Sequence, residues 1–133
     1  TFPYPGSGCS GMYYDGRHIW VCDADEDRIY KLLPSEKLNV VSTYNTPSSH
    51  TIALFFSGEF IWTVDGKEKK LYKHAVDKEL SVIESYSLPD EHIRDKDLSG
   101  AAWDGRSIWL TLEKQSAIIR IKLERITGES EKG

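Results

Sequence analysis

The sequence predicts an all-β fold built from repeated hairpins, and three observations support this prediction. A stretch of 23 residues occurs three times in altered form. Each copy joins an apolar run to a turn ending in glycine, and an Ile-Trp pair follows at a fixed distance. No segment shows helical periodicity over about ten residues. The copies span residues 10–32, 52–74 and 99–121, with turns at Asp15-Gly16, Ser57-Gly58 and Asp104-Gly105.

Aligning the three turns gives the length of the repeat. Asp15 and Ser57 are 42 positions apart, and Ser57 and Asp104 are 47 positions apart. The longer second interval has its extra residues in the charged run 90–97. Repeats of about 20 to 50 residues are typical of solenoids, propellers and arrays.

Each repeat divides into four predicted strands. In the first repeat, residues 12–14 and 18–22 flank Asp15-Gly16, which we expect to be a two-residue hairpin turn. Residues 28–32 and 39–44 give the third and fourth strands. The second strand is apolar almost throughout in all three copies, which predicts that both its faces are covered by other sheets. Four-stranded sheets packed radially form a β-propeller.

The propeller unit is expected to cover residues 1–126, followed by a polar tail at 127–133. Its three blades are predicted at about 10–46, 51–88 and 98–123. The positions that should supply the outer strand of the third blade are polar and rich in glycine. We therefore expect an N-terminal strand at residues 1–5 to complete a third blade.

The motif G-x-x-x-D-G-x-x-I-W-V-x-D, followed by R-I-Y-K-L, resembles a blade of known six-bladed propellers. These are typified by the NHL-repeat, streptogramin-lyase-like and glutamine-cyclotransferase-like families. The resemblance covers about residues 2–123 and implies propeller architecture without separating these families. The glutamine-cyclotransferase-like Gln-Gly pair before the first strand is not matched by Cys9-Ser10-Gly11, which argues against that activity.

Three blades are fewer than the 4 to 8 that propellers typically contain. Two copies of the chain would supply six blades. The sequence therefore predicts a homodimer with two-fold symmetry, in which each N-terminal strand completes the partner's third blade. The alternative is that the chain is a piece of a longer six-bladed protein.

Composition excludes some classes of partner. The 133 residues include 17 Lys and Arg against 21 Asp and Glu, a net charge of −4, with no long basic block. Nucleic-acid binding is not expected from this charge pattern. No run approaches the ~18 apolar residues of a membrane span, so we expect a soluble protein without membrane association. The sequence does not indicate a compartment.

Candidate catalytic residues come from the propeller rim, where the loops before the innermost strands converge. His50 and Asp97 occupy equivalent places in two of these loops, and His92 lies in the inserted charged run. In lyase-like relatives, His and acidic residues at this rim support metal-assisted proton abstraction. The resemblance therefore implies His50, Asp97 and His92 as catalytic candidates. The alternative is that His50 caps or solvates a loop.

Trp103, Ser49 and Arg94 are the candidate ligand-binding residues. Trp103 lies on an inner strand beside the turn, where it can stack on a ligand or fill the core. The tryptophans that recur at one strand position, and are therefore expected to pack between blades, are Trp20, Trp62 and Trp109.

Asp23, Asp25 and Asp27 place carboxylates at alternate positions, a pattern that suits a hard cation such as calcium. The EF-hand pattern requires glycine next, and Arg28 stands there instead. The alternative is a β-turn in which Asp23 accepts hydrogen bonds from backbone amides.

The two cysteines can form a disulfide if the first two predicted strands pair in one particular register. If Asp15-Gly16 is a two-residue turn, Cys9 lies opposite Cys22 in a non-hydrogen-bonded pair with Cα atoms ~4.5 Å apart. This separation is within disulfide range. A longer turn removes the contact, and two buried free thiols are the alternative.

The function we expect is a non-catalytic binding or scaffold module, with a small-molecule or protein ligand at the channel rim and no cofactor. The alternative is a metal-assisted lyase or hydrolase at the channel mouth, using a divalent metal. That alternative requires the catalytic candidates to converge within ~3 Å of one point.

Overall fold

The computed structural model describes residues 1–89, 93, 97–112 and 117–128. Within this part, three antiparallel sheets follow one another along the chain, and a short helix follows the last strand. The first sheet contains β1 (Cys9–Tyr14), β2 (Ile19–Asp23), β3 (Arg28–Leu32) and β4 (Val40–Asn45). The second contains β5 (Thr51–Ser57), β6 (Phe60–Asp65), β7 (Lys70–Ala75) and β8 (Val82–Ser87). The third contains β9 (Leu98–Trp103), β10 (Ser107–Leu112) and β11 (Ile118–Lys122), followed by α1 (Leu123–Thr127).

The strands of each sheet are ordered as they occur in the chain. The first strands of consecutive sheets contact one another, because β5 lies against both β1 and β9. The innermost strands therefore share an axis and the sheets radiate from it, as the predicted propeller blades require. No helix in the described ranges has the length and apolar character needed to cross a bilayer.

The hairpin turns begin one residue later than the sequence analysis expected. Tyr14 pairs with Ile19, and the equivalent pairs are Phe56 with Ile61 and Trp103 with Ile108. The two central turn residues are therefore Gly16 and Arg17 in the first repeat. Gly16 has φ +96°, and glycine at the first central position is the arrangement of a type II′ turn.

The side chain of Asp15 explains this shift. Its Oδ1 accepts hydrogen bonds from the backbone N–H groups of Arg17 at 2.8 Å and His18 at 2.6 Å. The Asp15 side chain therefore stabilises the turn, although Asp15 is not one of its two central residues and has negative φ. The next residue, Gly16, takes the left-handed conformation that glycine tolerates. Asp104 makes the same two bonds, to Arg106 and Ser107.

Apolar side chains fill the space between consecutive sheets. Trp20, Cys22 and Ile29 of the first sheet pack with Leu54 and Ile61 of the second. The contact between the second and third sheets is built from Trp62, Val64, Leu71, Ile108, Leu110 and Ile121. The second strands β2 and β6 have buried residues on both faces, as their continuous apolar character predicted. In β10, however, Trp109 and Thr111 are exposed on one face, so the prediction is wrong for the third repeat.

The N-terminal segment differs from its prediction. Residues 1–5 are not a strand in the structure. Tyr4 instead packs edge-on against Tyr30 with ring centroids 5.9 Å apart, and its hydroxyl donates to Asp23 Oδ2 at 2.7 Å. The physical reason is that Pro3 and Pro5 lack backbone N–H donors, while Tyr4 finds a partner on its own first sheet.

The helix α1 was not predicted. It has five residues, and Ile126 buries its side chain in the core that also holds Leu88 and Ile93. The third sheet consequently has three strands in the described part of the chain. Residues 129–133 of the predicted tail lie outside that part.

A buried histidine lies within the second sheet. His74 is 1% exposed; its Nδ1 is 2.8 Å from the carbonyl oxygen of Leu80, and its Nε2 is 2.8 Å from Thr63 Oγ1. Because a carbonyl can only accept, Nδ1 carries the proton, and Nε2 of the neutral ring accepts from the Thr63 hydroxyl. Burial lowers the pKa of His74 below its ordinary value.

Candidate functional site

One outer face of the third sheet is open, and the repeat shows what normally covers it. Ile29 and Leu71 hold one repeat position and are both fully buried, whereas Ile118 at the same position is 68% exposed. The tryptophan position follows the same pattern, with Trp109 39% exposed. We call the surface formed by Trp109 and Ile118 the trailing face. In the first and second repeats, the residues at these two positions pack on the next sheet, whereas on the trailing face they are exposed to solvent.

The first sheet has a partly open surface at the other end, because Tyr4 and Leu38 already cover part of it. Met12 is 66% exposed, whereas Leu54 at the same repeat position is 3% exposed because it packs on the first sheet. Beside Met12 lies an apolar cavity of about 740 Å³. We call the surface that includes Met12 and this cavity the leading face. Its cavity is lined by residues that include Phe2, Cys9, Met12, Ile19, Val21 and Leu32.

The rim candidates do not form a joined cluster in the described residues. The backbone N–H of His50 donates to Asp65 Oδ2 at 3.3 Å, and its carbonyl accepts from Gly66. Asp97 forms an ion pair with Lys69 at 3.9 Å. Neither a hydrogen bond nor an ion pair joins His50 to Asp97. Ser49 is exposed in the loop before β5.

Two further rim candidates, His92 and Arg94, lie outside the described residues. The predicted catalytic set of His50, Asp97 and His92 therefore stays a prediction, as does the ligand-binding role of Arg94. The bonds of His50 described here involve only its backbone, so the alternative in which His50 caps or solvates a loop also stays a prediction.

Asp23 is surrounded by protein hydrogen-bond donors. Its Oδ1 accepts from the backbone N–H groups of Asp25 and Glu26, both at 3.0 Å. Its Oδ2 accepts from Ser7, Gly8 and the Tyr4 hydroxyl. Burial acts to raise the pKa of Asp23, but these hydrogen bonds outweigh it and hold the pKa below its ordinary value.

This geometry matches the β-turn alternative for the acidic run. Asp25 and Asp27 are exposed, and Asp27 takes φ +56° at the end of the turn. Across the described ranges, no group of three or more His, Cys, Asp and Glu side chains is arranged to hold a metal ion. The Asp23 carboxylate ties the loop before β1 to the β2–β3 turn.

The expected disulfide register is wrong. Cys9 pairs with Asp23, and Cys22 pairs with Gly11, because the turn begins one residue later and a bulge follows Cys9. Both cysteines are free, Cys9 exposed and Cys22 buried. Burial raises the pKa of Cys22 to about 11 and also raises the pKa of Cys9, so neither thiol has the lowered pKa of a catalytic cysteine.

Trp103 lies between the second and third sheets. Its ring stacks on Phe55 with centroids 4.5 Å apart and an interplanar angle of 10°. It also lines a cavity of about 230 Å³ shared with Trp62, Arg106 and Glu124. Trp103 thus belongs partly to the core and partly to a cavity wall, and its role in stacking on a ligand stays a prediction.

A bond between aspartate and tryptophan recurs at two of the three turns. Trp20 Nε1 donates to Asp15 Oδ2 at 2.8 Å, and Trp109 Nε1 donates to Asp104 Oδ2 at 2.7 Å. The indole bond, with two backbone N–H bonds, holds the pKa of Asp104 below its ordinary value. At the second turn Ser57 replaces the aspartate, and Trp62 Nε1 is buried without a hydrogen-bond partner.

Trp62 and Arg106 were not predicted from the sequence as site residues. The signal was present, because the second turn has Ser-Gly where the other two have Asp-Gly. Its meaning required the structure, which shows that each aspartate is the acceptor for the tryptophan five residues later.

Comparison with solved structures shows the class of fold. The chain is similar to a catalytically inactive virginiamycin B lyase from Staphylococcus aureus, with 19% identity, a TM-score of 0.62, and coverage of 91% of this chain and 39% of that one. It is also similar to a Myxococcus xanthus glutaminyl cyclase, with 13% identity, a TM-score of 0.66, and coverage of 90% and 56%. A Kuenenia stuttgartiensis hydrazine synthase matches with 13% identity, a TM-score of 0.61, and coverage of 90% and 34%.

These identities are low enough that the similarity shows the fold alone. It confirms the resemblance to propeller blades and the all-β fold class. The chain spans between 34% and 56% of the length of these three structures, so it corresponds to part of a propeller. No family model and no curated protein matches the sequence.

Proposed function

We propose that the chain is a non-catalytic binding or scaffold module that acts as half of a six-bladed propeller, completed by a second copy of itself. The observation that carries the proposal is the difference in burial at one repeat position, where Ile29 and Leu71 are fully buried and Ile118 is 68% exposed. Burying an apolar side chain of this size contributes about 1.5–3 kcal/mol. Packing of another sheet on the trailing face is therefore energetically favourable.

A second copy supplies a suitable sheet because of the repeat itself. Between the first and second sheets, the Trp20 surface packs on the Leu54 surface. The trailing face carries Trp109 at the position of Trp20, and the leading face carries Met12 at the position of Leu54. The contact between the trailing face of one copy and the leading face of another would thus join the same kinds of side chain as the contact between the first and second sheets.

Two such contacts close the ring. Three blades from each copy give six, within the 4 to 8 blades of known propellers. Each copy then uses both faces, as two-fold symmetry requires. This closure uses sheet faces and does not involve exchange of residues 1–5, which are held on their own first sheet through Tyr4.

We do not propose the metal-assisted lyase or hydrolase as a second function. In the described part of the chain, no hydrogen bond or ion pair joins His50 to Asp97, and His92 lies outside that part. The lyase and cyclase activities belong to distant proteins whose similarity to this chain concerns the fold. A binding role at the rim of the completed ring requires no such convergence.

Sedimentation equilibrium tests the proposal. We expect a species of twice the 15.1 kDa chain mass, and we expect Ile118→Lys or Met12→Lys to shift it to monomer, because each buries a charge in the interface. Val76→Lys is the matched control, since Val76 is 55% exposed in the β7–β8 loop, away from both faces. A wild-type chain that stays monomeric would contradict self-association. A dimer unaffected by both face variants would contradict the assigned faces.

A further inference from the structure

The second turn lacks an interaction that the other two turns contain. The indole N–H groups of Trp20 and Trp109 each donate to an aspartate at the start of the preceding turn. Trp62 occupies the same position and is 4% exposed, yet its Nε1 has no hydrogen-bond partner. Buried polar groups in native proteins are nearly always paired, so an unpaired one calls for an explanation. Ser57 is too short to supply the acceptor.

A cavity lies beside the turn that lacks the carboxylate. Ser57 and Trp62 both line the cavity of about 230 Å³ between the second and third sheets. This volume is below the roughly 300–1,000 Å³ of sites for drug-sized ligands. The cavity therefore suits a ligand of amino-acid size. In the two aspartate turns, the acceptor is a carboxylate oxygen that belongs to the chain itself.

The charged and apolar residues that line the cavity indicate which chemical groups the ligand carries. Arg106 lines the cavity and forms no ion pair with any described residue, so its guanidinium is available to a carboxylate. Glu124 lines the same cavity and would oppose a simple anion but attract an ammonium group. Trp103 and Leu123 supply apolar contact surface. These walls together fit a zwitterion with an apolar side chain.

We propose that this cavity binds a free α-amino acid with an apolar side chain, whose carboxylate accepts the hydrogen bond from Trp62 Nε1 and pairs with Arg106. The ligand oxygen takes the place that Asp15 Oδ2 and Asp104 Oδ2 occupy at the other turns. Because Trp62 Nε1 is covered, entry of the ligand requires a small side-chain rearrangement at the cavity wall. The site lies within one chain and does not depend on completion of the ring.

Titration followed by ¹H–¹⁵N spectra tests the proposal, because each tryptophan gives its own indole N–H signal. The Trp62 signal is assigned with Trp62→Phe, and the probes are L-leucine and L-leucinamide. We expect L-leucine to shift the Trp62 signal and L-leucinamide, which lacks the carboxylate, to bind at least about tenfold more weakly. No shift with L-leucine, or equal shifts with both probes, would overturn the proposal.

Two variants with matched controls complete the test. Ser57→Asp supplies the acceptor internally, so we expect the L-leucine response to be lost, whereas Ser57→Ala should retain it. Arg106→Gln is expected to weaken binding about tenfold, whereas Arg17→Gln at the equivalent position of the first turn should have no effect. If Ser57→Asp does not fold, the arginine pair decides the outcome. Undiminished L-leucine binding by Ser57→Asp, or by Arg106→Gln, would overturn the proposal.

Discussion

Truncation at one repeat position gives a quantitative test of whether the trailing face is an interface. Replacing isoleucine by alanine removes three carbon groups, worth about 2.4 kcal/mol at ~0.8 kcal/mol each when fully buried. Ile29 is fully buried, so Ile29→Ala should lower the free energy of unfolding by about 2–5 kcal/mol once the cavity term is included.

The same truncation at Ile118 should act on assembly instead. Ile118 is 68% exposed in the single chain, so Ile118→Ala should cost the isolated chain only about 0.8 kcal/mol. The remaining ~1.6 kcal/mol of lost hydrophobic stabilisation is expected only in the dimer, where the trailing face is covered. A two-fold ring contains two such contacts, so the dimer should be weakened by about 3 kcal/mol, or roughly 200-fold in Kd.

Sedimentation velocity across a concentration series measures the dimer Kd, and urea unfolding measures the stability of each variant. Ile29→Ala serves as the control, because it should lower stability while leaving the trailing face intact. An Ile118→Ala protein whose dimer Kd stays within a few-fold of the wild-type value would show that the trailing face is not the interface.

Three further predictions concern single chains. Because burial lowers the folded-state pKa of His74 while the unfolded chain titrates near 6.5, stability should be fully present above this pH and fall as pH decreases below it. Urea midpoints compared between about pH 7.5 and about pH 5 should show this loss, and His74→Gln should reduce it. Gly11→Ala should lower the melting temperature strongly, since a Cβ there would lie 2.5 Å from the backbone oxygen of Ile52; an unchanged melting temperature would show that the two sheets can separate without cost. Under native conditions a thiol reagent should modify exposed Cys9 well before buried Cys22, whose pKa is about 11, and mass spectrometry of the labelled peptides would reveal the reverse order if the burial were wrong.

The strands could be predicted because their signals are local. The β-branched and apolar runs around the first turn placed β3 at its observed bounds, Arg28–Leu32. The other strands of the first sheet were placed within one residue of their observed ends, except that β1 begins three residues earlier than predicted. The continuous apolar character of the second strands also predicted burial on both faces, which is correct for β2 and β6 and wrong for β10. These features depend on neighbouring residues in the chain and on the period of the repeat.

The register and the helix could not be predicted in the same way. The one-residue shift of the turns depends on the Asp15 carboxylate bonding to backbone amides, and Asp-Gly alone is compatible with either register. The helix α1 has five residues, too few for a periodic pattern to appear. Its place depends on Ile126 entering a core built by distant segments.

The cavity beside Trp62 could not be predicted from the sequence for a related reason. Its walls come from β5, β6, β9, the following turn and α1, and nothing local in the sequence brings these segments together. The serine at the second turn was visible, but its consequence depends on the indole bond that the other turns make. The rim residues were chosen from a resemblance, and the structure does not join His50 to Asp97.

Among the described residues, only the second sheet has a packed neighbouring sheet on both sides. In arrays of this kind, stability is approximately a sum of the intrinsic stability of each repeat and the energies of its contacts with adjacent repeats. Backbone amides of the central blade should consequently exchange with solvent most slowly, and those of the terminal blades should gain protection as the ring closes. Assembly would then govern how cooperatively the whole chain unfolds.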